Sequence, residues 1–215
     1  MSESIFKFSV LPAVFKAAAA FAGTKRRDLA PAFYVDRGGV YLAATDSATL
    51  FAYRVANNPA GIESAFIFSA DNLKKINSMA RGCDRVAVAL YFDKIVFSAG
   101  GASIEAPRLS NDYKLNWRRA LFGVALDVAH FLRDRVENGT TPAPFIGETL
   151  ARVIKGVSAL CVSTRLIMPC SSVAPLLIVS EDRPDMIAAI MPRSADPKKV
   201  ATALDATAAA FDLED

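Results

Sequence analysis

One order of elements, strand, helix and then three strands, occurs twice in the first half of this chain, and few folds accommodate it. The first copy opens with "IFKFSV", whose alternating apolar residues read as a half-buried strand. "LPAVFKAAAAFAG" follows, with Pro12 suited to a first helical turn and Gly23 to stop it. Leu11, Val14, Phe15, Ala18 and Phe21 form an apolar face, and Ala17 to Ala20 are small enough for that face to approach a sheet closely. Phe33 to Val35, Val40 to Ala44 and Leu50 to Val55 are the three strands. The Gly38-Gly39 pair supplies a hairpin between the first two. The second copy runs from "AFIFSADNLKKINSMARG", a strand and a helix capped by Ser69 or Asp71 and ended at Gly82, into "DRVAVALYFD", "KIVFSAG" and "ASIEAPRL". This is a repeat of pattern rather than of residues.

"SNDYKLNWRR" breaks the pattern and sets a boundary near residue 118. Beyond it, "LFGVALDVAHFLRDRVENGTTPAP" reads as a strand or helix followed by a polar loop. "FIGETLARVIKGVSAL" is an amphipathic helix with Ile146, Leu150, Val153, Ile154 and Val157 on one side. "VSTRLIMPC", "VAPLLIVSED" and "DMIAAIMPR" are strands, and the tail is an alanine-rich helix capped by Asp196-Pro197 with an acidic end. The expected organisation is a complete unit over 1–118, a partial one over 119–195 and a tail over 196–215. The fold class is α+β.

A chain of 215 residues, 53% hydrophobic and 22% charged, buries a sizeable core. Cys83, Cys161 and Cys170 share no CxxC spacing and read as buried free thiols in a reducing, cytoplasmic setting. The start, Met1-Ser-Glu-Ser, has no secretory pattern, and no apolar run reaches membrane-spanning length, so no membrane partner is expected. The one histidine, His130, makes no metal cluster, "SAGGAS" lacks the lysine and helix of a phosphate loop, and Asp112 and Asp127 stand alone. No set of acid, base and nucleophile converges, so neither an enzyme nor a cofactor site is expected. Asp46 in "AATDSATL" is a turn former whose side chain bonds nearby backbone.

In this order, "FKFSVLPAVFKAAAAFAG", "VYLAATDSATLFAYRV", "FIFSADNLKKINSMARG" and "ASIEAPRLSNDYKLNW" resemble the first domain of a DNA sliding clamp, the bacterial DNA polymerase III β-subunit branch in particular. "LARVIKGVSAL", "SSVAPLLIVSED" and "MIAAIMPR" resemble the helix and closing strands of a final clamp domain. The resemblance implies the processivity fold: antiparallel sheets with two helices per domain, here with a truncated second domain and in a short form such as phages and mobile elements carry. It implies double-stranded DNA, and a polymerase or other clamp-motif protein, as partners. Two domains per chain would close a ring as a trimer, whereas a shortened second domain would leave a monomer or dimer.

The site residues follow from that resemblance. Lys25, Arg26 and Arg27 stand in a basic loop after the first helix, where clamps carry a cation that reaches the DNA backbone. Lys16 lies on that helix, Lys74, Lys75 and Arg81 on or after the second, and Arg152 and Lys155 on the third. Cations on helices without interleaved aromatics suit sequence-independent phosphate attraction along a duplex. Pro175, Leu177, Met191, Pro192 and Arg193 match strands that border a partner-peptide pocket in clamps. A second reading keeps the fold and makes the chain an adaptor or decoy that holds clamp-binding peptides without encircling DNA.

Overall fold

The computed structural model describes residues 4–23, 30–36, 38–58, 63–109, 147–167 and 175–191. Both copies of the repeat are present. The first is β1 (Phe6–Val10), α1 (Pro12–Phe21), β2 (Ala32–Asp36), β3 (Gly39–Thr45) and β4 (Thr49–Ala56). The second is β5 (Ser64–Ile67), α2 (Ala70–Met79), β6 (Val86–Leu90), β7 (Lys94–Ala99) and β8 (Ala102–Pro107). A third helix and three strands follow: α3 (Gly147–Ser158), β9 (Thr164–Ile167), β10 (Leu176–Ser180) and β11 (Met186–Ile190).

The two copies exchange their first strands. β1 pairs antiparallel with β6, Phe6 opposite Leu90 and Val10 opposite Val86. β5 pairs antiparallel with β2, Ala32 opposite Ile67. One sheet therefore runs β1-β6-β7-β8, and the other begins β5-β2-β3-β4. The second sheet continues through β11, β10 and β9 to seven strands, because β11 lays Met186 to Ile190 against Tyr53 to Thr49 of β4. That seam fuses β9, β10 and β11 onto the first copy.

The helices lie together over the inner faces of both sheets, with α1 packed against α2 on one side and α3 on the other. α1 begins at Pro12 with no side-chain cap bond at Leu11, and it buries Val14, Phe15, Ala17, Ala18 and Phe21. Beneath it Phe15, Phe33, Phe68 and Phe97 form an aromatic cluster, Phe33 stacked on Phe68 at 5.7 Å between ring centroids. α2 buries Leu73 and Ile76, and its Ser69 cap makes no side-chain hydrogen bond. α3 buries Val153, Gly156 and Val157, with Leu150 and Ile154 packed partly buried on the same core; Ile146 lies outside the described residues.

The small-residue face of α1 does more than approach the sheet. A Cβ built on Gly156 of α3 falls 2.5 Å from Ala20 Cβ, so the two helices meet where both side chains are minimal. Of the two hairpin glycines, Gly39 takes a positive φ of 145°, and a Cβ there would sit 2.7 Å from Ala56 O. Asp36 Oδ1 accepts a bond from the amide of Gly38 and steadies the same turn. Cys161 is buried and Cys83 half-buried, both as free thiols.

Candidate nucleic-acid interface

The outward face of the helix layer gathers cations from separate parts of the chain. On α1, the positions left over by its buried face put Lys16 outward; on α2, Leu73 and Ile76 turn inward and leave Lys74 and Lys75 exposed. Arg81 follows just past the end of α2, where a cation also complements the helix dipole. Lys16, Lys74 and Arg81 line one groove between α1 and α2, of about 570 Å³, together with Asn77, Ser78 and Gly82. Gly82 turns the chain there with a φ of 73°. Lys74 also reaches Asp71 at 3.2 Å, an exposed pair of little strength. Lys155 is exposed on α3. Lys25, Arg26 and Arg27 lie outside the described residues.

Arg152 is placed differently. Its guanidinium donates to Asp46 Oδ2 at 2.5 Å and to the carbonyl oxygen of Ala20 at the end of α1. It thus ties α3 to the first copy of the repeat rather than standing free among the groove cations. Asp46 is held from its other oxygen as well: Oδ1 accepts from the amides of Ala48 and Thr49 and from the Thr49 hydroxyl. Burial alone would raise its pKa. The hydrogen bonds from Thr49 and Arg152, with the Arg152 charge, outweigh burial and hold the carboxyl below its ordinary range. Asp46 is therefore a turn residue, and in addition the anchor for Arg152. Ser47 beside it takes a φ of 74°, and the Thr45 hydroxyl closes the turn on Thr49 O.

Residues expected at a peptide pocket fall at the far side of the β4–β11 seam. Leu177 of β10 stands opposite Ala189 and is fully buried; Pro175 is buried too. Met191 is 39% exposed, and its amide donates to Ala48 O at 2.8 Å, which sets the end of β11 against the β3–β4 turn. Pro192 and Arg193 lie outside the described residues. Leu50 and Ala189 join Leu177 in one apolar cluster on this face. Sequence reasoning missed both, although the alternation of β4 places Leu50 on the face opposite Phe51.

No group of three or more His, Cys, Asp or Glu able to hold a metal occurs among the described residues. No helix among them is long and apolar enough to cross a membrane.

With exchanged strands, a helix layer and a seam between sheets in view, comparison with solved structures is decisive for the fold. The DNA polymerase sliding clamp of Bacillus subtilis superposes with a TM-score of 0.65 at 12% identity, over 91% of this chain and 66% of that one. The chain has the sliding-clamp fold. The DNA polymerase sliding clamp of Pseudomonas aeruginosa matches at a TM-score of 0.63 and 12% identity, over 91% of this chain and 68% of that one. The DNA polymerase III beta subunit of Thermotoga maritima matches at 0.59 and 12%, over 91% and 67%. The chain thus spans about two thirds of the length of these clamps. No protein-family model and no curated protein matches the sequence.

Proposed function

We propose that the chain is a clamp-like processivity factor that holds duplex DNA against its helix layer and tethers a polymerase or another replication enzyme. The observation that carries this reading is the convergence of Lys16, Lys74 and Arg81 on one groove of a clamp-fold helix layer. Three cations from two helices and a following turn give diffuse phosphate attraction. Asn77 and Ser78 add hydrogen-bond donors of the kind that suit backbone oxygens. Lys75 and Lys155 extend the positive surface, and Lys25, Arg26 and Arg27 are assigned to the same role. Arg152 serves the fold through Asp46. No catalytic step is assigned to the chain.

Residues 1–118 form a complete clamp unit in this reading, 119–195 a partial one and 196–215 a tail. Self-association is supported by the sheets themselves. β4 and β8 end equivalent copies of the repeat; β11 covers the outer edge of β4, while β8 ends its sheet among the described residues. A second copy that met β8 would extend the sheet as β11 extends the other. The partner-peptide contact is assigned to Met191, which stands partly exposed at the β3–β4 turn, with Pro192 and Arg193 following it and Pro175 and Leu177 behind it.

The test is fluorescence anisotropy with a labelled duplex, together with light scattering of the free protein. Salt-sensitive duplex binding without sequence preference, by an oligomer, is expected. A monomer that ignores duplex DNA but binds a clamp-motif peptide overturns the proposal in favour of the adaptor reading.

A further inference from the structure

Each described helix is followed by three antiparallel strands: α1 by β2, β3 and β4, α2 by β6, β7 and β8, and α3 by β9, β10 and β11. In the first two trios the leading strand has its outer edge filled. β5 lies antiparallel on β2, and β1 lies antiparallel on β6. Both added strands put bulky apolar side chains on the helix side of their sheet, Phe66 opposite Phe33, and Phe8 and Phe6 opposite Val88 and Leu90. β9 leads the third trio, and among the described residues no strand stands on its outer edge. Leu166 holds the place there that Phe33 and Val88 hold in β2 and β6, since it stands opposite Ile178, which is packed in the helix-side core. Phe33 and Val88 are at most 2% exposed, whereas Leu166 is 48% exposed in the whole chain. Val162, just before β9, is 98% exposed. Arg165, the charged residue of β9, is held by Glu181 at 2.9 Å and stands opposite Val179 on the other face. The helix side of β9 thus carries no charge from its own strand.

We infer that the outer edge of β9 is a docking site for an extended segment of a partner protein, added antiparallel to the sheet as β5 is added to β2 and β1 to β6. The chain itself displays the chemistry of the occupant, because it fills the two equivalent edges. β1 is the template: Phe6, Phe8 and Val10 turn toward the helix-side core, while Lys7 and Ser9 are exposed. A segment that fits β9 carries bulky apolar residues at alternate positions, which cover Leu166, and polar residues between them. Main-chain hydrogen bonds to the edge supply affinity, and the alternate apolar side chains supply selectivity. β1 and β5 of a second copy are committed to their own sheets, so the strand comes from a different polypeptide. β9 is only four residues long, which suits a short, reversible contact rather than a permanent one. The seat lies two strands from β11 and shares no residue with the groove of Lys16, Lys74 and Arg81, so it stands whether or not that groove takes DNA.

The test uses the full chain and a labelled synthetic peptide with the sequence of Ser4 to Leu11, "SIFKFSVL". The peptide is expected to bind in fluorescence anisotropy and to slow amide hydrogen exchange over residues 164–167. Leu166→Asp, which sets an inward charge on the edge, is expected to weaken that binding roughly tenfold or more. A control peptide carrying Phe6→Ser and Phe8→Ser is expected to bind comparably weakly to the wild-type protein. Equal binding of the two peptides overturns the inference, as does amide protection at β6 or β2 in place of β9. So does a wild-type protein that self-associates until Leu166→Asp makes it monomeric, because a second copy then occupies the edge. The exchange measurement needs no variant and covers a Leu166→Asp chain that fails to fold. Peptide that does not bind, or that leaves residues 164–167 unprotected, contradicts the seat.

Discussion

Arg152 of α3 and Asp46 of the β3–β4 turn, 106 positions apart, form a 2.5 Å ion pair that clasps α3 onto the first repeat. The Asp46 side chain is 21% exposed and the Arg152 side chain 39%, so the pair is partly shielded from solvent. Removing either member leaves its partner's charge without a counter-ion in a half-buried site. Arg152→Met and Asp46→Asn are each expected to lower unfolding stability by about 1–3 kcal/mol. In a double-mutant cycle by urea unfolding their effects are expected to be non-additive by about 1 kcal/mol or more. Strict additivity would mean that the clasp carries no energy.

The same carboxylate sets a pH dependence. Its native pKa lies below the ordinary Asp value, so folding is favoured by its ionised form. The contribution is complete above the ordinary Asp range, near 4, and fades as pH falls through the lowered native value. Acid titration of wild type against Asp46→Asn is expected to show the gap in stability narrowing below about pH 4. A gap constant down to pH 2 would contradict it. Asp182, exposed, is likewise held down, to about 2, by the Ser180 hydroxyl and then by the amides of Val162 and Ser163.

Gly156 tests the contact between α1 and α3. In a helix interior Gly→Ala ordinarily stabilises by about 1 kcal/mol. Here the new Cβ meets Ala20 Cβ at 2.5 Å, and Gly156→Ala is expected to destabilise by about 1–3 kcal/mol instead. Ala20→Gly in the same chain is expected to recover part of the loss. Thermal melts of the single and double variants check the sign.

Much of this was legible in the sequence. Alternation in "FKFSV", "VAVAL" and "KIVFSA" gave strands where they occur, and Pro12 and Gly82 bracketed helices that formed. The role of Asp46 in its turn was legible because Asp-Ser-Ala-Thr offers nearby amides and a hydroxyl to one carboxylate. What stayed hidden is non-local. Nothing in the spacing of β1 says that it pairs with β6 rather than β2, or that β11 would complete the edge of β4. Arg152 carries the same pattern as a solvent-facing cation until Asp46 and Ala20 are brought beside it by the seam. The outer row Ala52–Ala43–Ala32 reads as ordinary strand alternation, and the row emerges only when two registers align.

The central claim, that the helix groove holds a nucleic-acid backbone, is tested most directly by salt-dependent binding of Lys16→Ala/Lys74→Ala/Arg81→Ala to a duplex. These side chains are surface-exposed, so the fold is expected to survive their loss. If each cation neutralises one phosphate, the slope of log affinity against log salt should shrink by roughly 2.7, with affinity falling alike for unrelated sequences. A wild-type protein with no duplex affinity, or a triple variant with an unchanged slope, would contradict the account.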